Sequence, residues 1–588
     1  MHGRVFLAIG VALAFSCSPS SPVQTPPEPL VCDALSVKTA DGCVRVGPSS
    51  CGAGFRLDTE HATCEPVLPT EACARGTFAV PGDTSCHAVG TFDAATGSSV
   101  IHVDAGAAAG GDGSTARPFK TVQAGVDAAS AGALVIVAAG TYVENVRITR
   151  ALTLLGVDAA KVELRGVDPA KNTLDVRADA TIAGVGVTGP GQGLSVTDAR
   201  VTARHVWVHD TGKPGVGVDR SAKTGALVLS DSLVESCAYA GVAVFGASVE
   251  LTKSSVRDTK LLSGAGGPGV LGQKTGTVIA TLVVRGSVIE RNREVGVGVA
   301  GGSVTVEDSV VRDTGPMANG TVGTGVLASF DKATKTAPTL VVRGSLVASN
   351  LEIGISQTNG LGTIERTVVR GTRGAPKRTR YGVGIQADPG TTMTIRESVI
   401  EDNRHLGIAV FAATASIERT IVRGTRSADA TVGGVGIGLN EVDGVPSAAT
   451  ILQSLVVDNQ SAGVMFGEGT FSITSSVVRG TIAADDGRFG DGLIALGRAH
   501  PDGTPLVDAN DLLVEGNART GVAVLAGAIR LAGSRLRCNA VDLDRGDFAM
   551  PAEAIDGGGN LCGCDAAGAC KIVTSALEPV PFPDRGAR

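Results

Sequence analysis

Residues 281–314, TLVVRGSVIERNREVGVGVAGGSVTVEDSVVRDT, state one phrase twice: Ser287-Val288-Ile289 leads to Asn292 and Gly296, and Ser309-Val310-Val311 leads to Asp313. Outward from this stretch the phrase recurs. Asn350, Asn403, Asn459 and Asn517 are each followed four residues later by a glycine, at 354, 407, 463 and 521, and Cys237 with Gly241 is an earlier copy. A shorter version ends at Asp258, Asp313, Gly371, Gly424, Gly480 and Cys538, so a unit of 21 residues alternates with one of 32 to 37. Self-similarity at such a period marks a solenoid, in which each unit buries its apolar side only against its neighbours.

The runs 281–284, 303–306 and 339–342 are rich in β-branched residues, too short for helices and bounded by Gly, Asn or Asp, so they read as strands. At about 3.3 Å per residue, 21 residues make three short strands and three turns, one coil of a prism whose next coil stacks about 4.8 Å along the axis. The expected fold is all-β, a parallel β-helix. The Asn, Asp and Gly columns are expected to serve turns that need a left-handed backbone.

Two charge columns fit the stacking. Arg285, Glu307, Arg343, Glu365, Arg396 and Glu418 alternate in sign coil by coil, and so do Glu290, Arg312, Arg370, Glu401 and Arg423, with Ala348 interrupting. Stacked like charges would repel, whereas alternation sets Arg beside Glu, each exposed pair contributing about 0.2 to 1 kcal/mol. Alternation also cancels the field that a charged binding stripe needs.

Composition narrows the function. In 588 residues there are 81 Gly, 3% aromatic residues and a net charge of -7, which argues against a nucleic-acid partner. Residues 1–17 read as an export signal in which Leu13-Ala14-Phe15-Ser16-Cys17 resembles a bacterial lipoprotein box. Cys17 is the expected lipidation site, residues 18–31 a Pro/Ser-rich tether, and the destination the outer membrane or cell surface, with secretion or the periplasm as the alternative. The membrane partner would be reached through the lipid only.

Ten further cysteines divide into Cys32, Cys43, Cys51, Cys64, Cys73 and Cys86, in a module over 32–87, and a terminal group of Cys538, at the end of the solenoid, with Cys562, Cys564 and Cys570 in a C-terminal cap over 546–588. Three local loops are the simplest pairing in the first group, and a small stapled module fits an oxidising compartment. Cys538 is expected to pair within the terminal group. Cys237 is expected to be a free thiol; it and Cys538 are read as equivalent turn positions about eleven coils, roughly 50 Å, apart, which forbids a bond between them.

Residues 101–146 open the solenoid, expected over 101–545. A helix over 118–130 would place Phe119, Val122, Val126 and Ala129 on one face and cap the first coil. Asp112 to Ser114, Pro118 to Ala124 and Ala139 to Glu144 resemble the D-G-S, P-F-K-T-V-Q-A and A-G-T-Y-x-E phrases of the pectin lyase-like right-handed parallel β-helix superfamily, here as a bacterial surface lipoprotein. The resemblance implies the fold; because the superfamily mixes lyases, hydrolases, epimerases and adhesins, it implies no single activity.

No cofactor, metal or catalytic residue is expected. Longer units, with insertions near 259–280, 314–338, 372–391, 425–448 and 481–509, would line one side as a ridge, where ligand contact is expected. The expected function is a non-enzymatic surface scaffold or carbohydrate- or partner-binding module, with Arg373, Lys377, Arg378, Arg380 and Tyr381, and His405, as the candidate ligand-binding residues for an acidic polysaccharide or a cell-surface protein. The other reading is a polysaccharide lyase or related uronate-active enzyme, which needs a base beside cations that neutralise a carboxylate. Asp485, Asp486 and Asp491 form the densest acidic group and read as solvated. His205 and His209 are expected to face outward beside Trp207.

Overall fold

A computed structural model describes residues 32–581, apart from 91–96, 98, 224, 265, 429–432, 499–505, 547, 549 and 566–567. The export signal, Cys17 and the tether lie outside the described residues.

The chain winds as a parallel β-helix with three strand columns. Column A is typified by Val295–Ala300, column B by Ser303–Glu307 and column C by Val310–Arg312, each pairing in parallel with its equivalent one coil away. Columns A and B make one 31-stranded ladder, and where no loop interrupts the corner a strand runs through both, as in Ile353–Glu365 and Val383–Arg396. The ladder extends past residue 545: Ala552–Asp556 joins column B and Leu561–Cys562 joins column C.

The seven-residue helix α1, Val122–Ala128, is shorter than the expected 118–130. It is capped by the Thr121 hydroxyl, which accepts from the Ala124 amide. Val122, Val126 and Ala129 are buried and Phe119 packs against the same core, so the expected face closes the first coil.

Alternation of inward and outward side chains explains the interior. In column B, Val304 and Val306 are buried while Ser303, Thr305 and Glu307 face out. Column C behaves differently, because its phrase carries two adjacent aliphatic residues and neighbours on a strand point to opposite faces. Ile289, Val311, Val369 and Val422 enter the solenoid core, whereas Val288, Val310, Val368 and Ile421 point outward and are buried as well.

The cysteine-rich module covers them. Its bonds are Cys32–Cys43, Cys51–Cys64 and Cys73–Cys86, the local pairing expected. The module is not a bead strung before the solenoid; it lies along column C and runs against the coil order. The Ala34 carbonyl accepts from Arg479, the Gly47 amide donates to the Arg419 carbonyl at 2.9 Å, Glu65 pairs with Arg370 at 2.6 Å, and His205 meets the Val89 carbonyl at 2.7 Å. Gly52 approaches the turn at Gly344 so closely that a Cβ would collide with its carbonyl.

The turn columns hold a correction. Asp258, Asp313, Gly371, Gly424 and Gly480 are left-handed as expected, but in the Asn columns it is the preceding residue, such as Arg291, Ser349, Asp402 or Asp458, that takes positive φ. The asparagines are buried and bridge coils: Asn403 Nδ2 donates to the Val369 carbonyl at 3.1 Å and its Oδ1 accepts from the Thr372 amide at 3.0 Å. The Ser/Thr anchors do the same at the next corner, where the Ser287 amide donates to Ser309 Oγ at 3.1 Å and Ser287 Oγ donates to the Arg285 carbonyl at 2.8 Å. Inside a solenoid each corner amide needs such a partner, because water is excluded.

Cys237 is a free, fully buried thiol, and burial pushes its pKa up to about 11. Cys538 pairs with Cys564 and Cys562 with Cys570. The two turn positions are not equivalent, however: Cys237 occupies the bridging Asn position, while Cys538 is the left-handed residue before Asn539.

Candidate functional site: the loop ridge and the outer faces

The extra length of the longer coils is not one insertion. A column A strand crosses it, as at Val270–Gln273, Thr324–Ser329 and Val435–Asn440, leaving loops on both sides. The loops from column C to column A recur at one corner and form the expected ridge; between two of them the Lys377 amide donates to the Gly320 carbonyl at 3.1 Å.

The ridge brings the six candidates into one neighbourhood and then divides them. Arg373, Lys377 and Arg380 are exposed. Arg378 is half-buried and reaches Glu352 at 3.4 Å, a carboxylate only 5% exposed whose other oxygen accepts the Val322 amide at 2.7 Å. A buried carboxylate requires such a counter-charge. Tyr381 and His405 are buried and stacked with ring centroids 5.9 Å apart, and Tyr381 belongs to an apolar cluster on the outer side of column A. That cluster includes Leu406, Met465, Phe489 and Ile494, and Val580 and Leu577 of the C-terminal segment cover part of it.

The acidic group is redistributed as well. Asp486 is held by Arg488 at 2.7 Å and Asp485 by Gln460 at 2.7 Å, but Asp491 is fully buried, gripped by Arg519 and by Thr520 at 2.7 Å. Its strand position in column A, rather than a loop, takes it out of solvent.

His209 also departs from expectation. Its ring lies outward on column C, 4.0 Å from Trp207, yet it is only 5% exposed because Arg75 of the module closes over it. Burial pushes its pKa down. Hydrogen bonding from Arg75 holds the neighbouring Asp210 carboxyl well below the usual range. Beneath them Arg257, 2% exposed, grips Glu235 at 2.7 Å and donates to the carbonyls of Cys73, Ala74 and Thr77. Sequence reading missed this interface, although the paired aliphatic residues of column C carried the signal.

The charge columns stand as expected. In column B, Arg343 lies between Glu307 at 3.1 Å and Glu365 at 2.9 Å; in column C, Glu290 meets Arg312 at 2.6 Å.

Fold and site together define a parallel β-helix protein with a disulfide-stapled strap along one face and a loop ridge at one corner. No protein-family model matches the chain, and no curated protein is found to be similar. Among solved structures it is similar to a periplasmic alginate epimerase, at 11% identity over 63% of this chain and 78% of that one, with a TM-score of 0.36. An alginate lyase from Paenibacillus sp. has 13% identity over 60% and 95% of the two chains, with a TM-score of 0.23. The mannuronan C-5 epimerase A-module of Azotobacter vinelandii has 13% identity over 70% and 94%, with a TM-score of 0.25. Likeness this low assigns no activity, and the fold rests on the strand ladder itself.

Proposed function

We propose that the protein is an exported β-helix surface scaffold, anchored through Cys17, that binds at its ridge without cleaving what it binds. The supporting observation is how the candidate chemistry is spent. Arg378 neutralises buried Glu352, Asp491 is neutralised by Arg519, and Tyr381 and His405 are packed side by side. A lyase needs a base and a set of cations facing the substrate. What faces outward here is Arg373, Lys377 and Arg380, a contact patch for an acidic polysaccharide or an acidic cell-surface protein. The stapled module favours an oxidising compartment. Because Ala34 sits beside Arg479, a tether from Cys17 would leave near the C-terminal coils and hold the helix-capped first coil away from the membrane.

Purified protein incubated with pectate and alginate should release no unsaturated product, and should be retarded in an alginate-containing gel unless Arg373, Lys377 and Arg380 are all changed to Ala. Product formation that is lost in Arg380→Ala would establish the uronate-active enzyme instead. Cys17→Ala should leave the membrane fraction; a variant that stays there refutes the anchor.

A further inference from the structure

The C-terminal segment lies on column A as a peptide lies in a groove. Val573 bridges to Asp544 and the Ser575 amide donates to the Asp544 carboxylate at 3.0 Å, which sets the chain down at the last coil. From there it runs back toward earlier coils. The Glu578 carbonyl accepts from Arg519 at 2.9 Å, and the Glu578 carboxylate accepts from Arg488 at 3.0 and 3.1 Å. Leu577 and Val580 enter the apolar cluster of column A, Val580 to 2% exposure. Beyond Val573 the described residues of the segment join no strand ladder, and Pro579 and Pro581 have no N–H to give one. Two aliphatic anchors and one carboxylate hold it, as an extended, proline-containing peptide is held in an aromatic-lined groove.

The groove is set by its own residues. Arg488 is fixed through Nε by Asp486 at 2.7 Å and lies over the Phe489 ring, while Arg519, over the same ring, is fixed by Asp491 at 2.8 Å. Both guanidinium groups are therefore aimed before the segment arrives. The Glu578 side chain remains 61% exposed, so the contact is open to exchange.

The docked phrase is not unique to the C-terminus. Glu-Pro followed by an aliphatic residue stands at Glu578-Pro579-Val580, at Glu65-Pro66-Val67 and at Glu28-Pro29-Leu30. The module copy docks in the same way: both Glu65 oxygens accept from Arg370 at 2.6 Å, and Leu68 packs on the outer cluster of column C. A carboxylate forked on arginine beside an aliphatic anchor is thus used twice. The third copy belongs to the tether, outside the described residues. The tether's root is near the groove, because the Ala34 carbonyl accepts from Arg479 at 2.8 Å and the loop between strands Val477–Arg479 and Asp491–Leu496 carries Arg488. Extended chain from Ala34 back to Glu28 reaches about 20 Å.

We propose that the column A groove is a site for an extended Glu-Pro-aliphatic segment with two competing occupants in one chain, Leu577–Val580 and the tether phrase Glu28-Pro29-Leu30. Seating the tether draws its root against the solenoid and releases the C-terminal segment; seating the C-terminal segment leaves the tether at full length. Both occupants are covalently attached, so effective concentrations of about millimolar let a weak, exchangeable contact decide between them. The proposal uses neither the ridge cations nor the lipid, and it stands or falls apart from the binding reading above.

The experiment places benzoylphenylalanine at position 30 of the full chain, irradiates it and maps the cross-link by mass. It is run in the parent and in Glu578→Arg/Val580→Asp, which turns the C-terminal segment out of the groove; circular dichroism verifies the fold. The expected result is a cross-link to residues 488–494 at monomer mass, at least tenfold more abundant in the variant and lost when Arg488→Glu is added. A variant that cross-links elsewhere, or not at all, overturns the proposal. Cross-links at dimer mass also overturn it, giving the groove to a second copy of the chain. A second measurement leaves the groove and its occupant unaltered: excess synthetic peptide 22–31 should raise hydrogen exchange at the Ser575 amide of the parent at least threefold, and the peptide with Glu28→Ala should not. Equal effects of the two peptides, or none, overturn the exchange.

Discussion

Columns B and C are built from the same repeat and carry the same alternation of Arg and Glu, yet one face is bare and the other is an interface. In column B the pair Arg343–Glu365 keeps its side chains 39% and 18% exposed; in column C the pair Arg257–Glu235 is reduced to 2% and 4%. Identical chemistry is thus worth very different amounts. An exposed pair contributes about 0.2 to 1 kcal/mol, whereas removing one partner of a buried pair costs about 3 to 5 kcal/mol, because the other charge is left without a partner away from water. Alternation keeps column B neutral; in column C it becomes part of the docking surface for the module.

The largest effect should therefore come from Arg257→Ala. It leaves buried Glu235 without its counter-charge, with only Trp207 and the Gly76 amide still donating to it, and frees the carbonyls of Cys73, Ala74 and Thr77, so a loss of about 3 to 5 kcal/mol is expected, concentrated in the module. Limited proteolysis should then cut between residues 73 and 90 while the coils stay protected. A variant as protease-resistant as the parent would show that module and solenoid are held elsewhere.

Next in size is Asn403→Ala. Its amide joins the Val369 carbonyl and the Thr372 amide across coils, so removal leaves buried backbone groups unpaired at about 1 to 3 kcal/mol. Hydrogen exchange at Thr372 should accelerate accordingly. Exchange unchanged there would return the Asn column to a mere turn preference.

That column shows where the sequence was legible. Periodicity fixes the solenoid, because a unit of 21 residues with strand-like runs buries its apolar side only by stacking, and sign alternation fixes the register. The left-handed turns were half legible: Asp258 and Gly371 take the conformation, but Asn292 and Asn350 do not, since a bridging side chain and a left-handed backbone favour the same residue type. Docking of the module was written in Val288-Ile289 and its copies, adjacent aliphatics that require both faces of a strand to be dry. Of the candidate site, loop position was legible and burial was not. Tyr381 and His405 follow a run of cations in sequence, but the strands at Val383 and Leu406 carry them into packed surroundings.

A third test uses pH. Asp210 ionises well below the ordinary carboxylate range when it accepts from Arg75, with Lys260 at 3.4 Å and His209 at 3.2 Å also facing it. A depressed folded-state pKa stabilises docking above the unfolded value of about 4 and loses that contribution as pH falls toward the folded value. Proteolytic release of the module should thus rise as pH is lowered through 4, using an acid-active protease. Asp210→Asn should show faster release at neutral pH and a weaker pH dependence. The same release curve in parent and variant would remove Asp210 from the interface.

The smallest effect should be Glu365→Gln in column B. Glu365 accepts from Arg343 at 2.9 Å and Arg396 at 3.2 Å, two partly exposed pairs contributing together about 1 kcal/mol in dilute buffer. Raising salt to 1 M shortens the screening length to about 3 Å, so the difference between parent and variant, read as hydrogen exchange over Leu340–Val342 and Ile395, should shrink toward zero. The Arg257 effect should persist in the same salt, because its partner is shielded from ions by the module. If both effects faded together, the buried column would be as wet as the bare one, and the contrast between the two faces would dissolve.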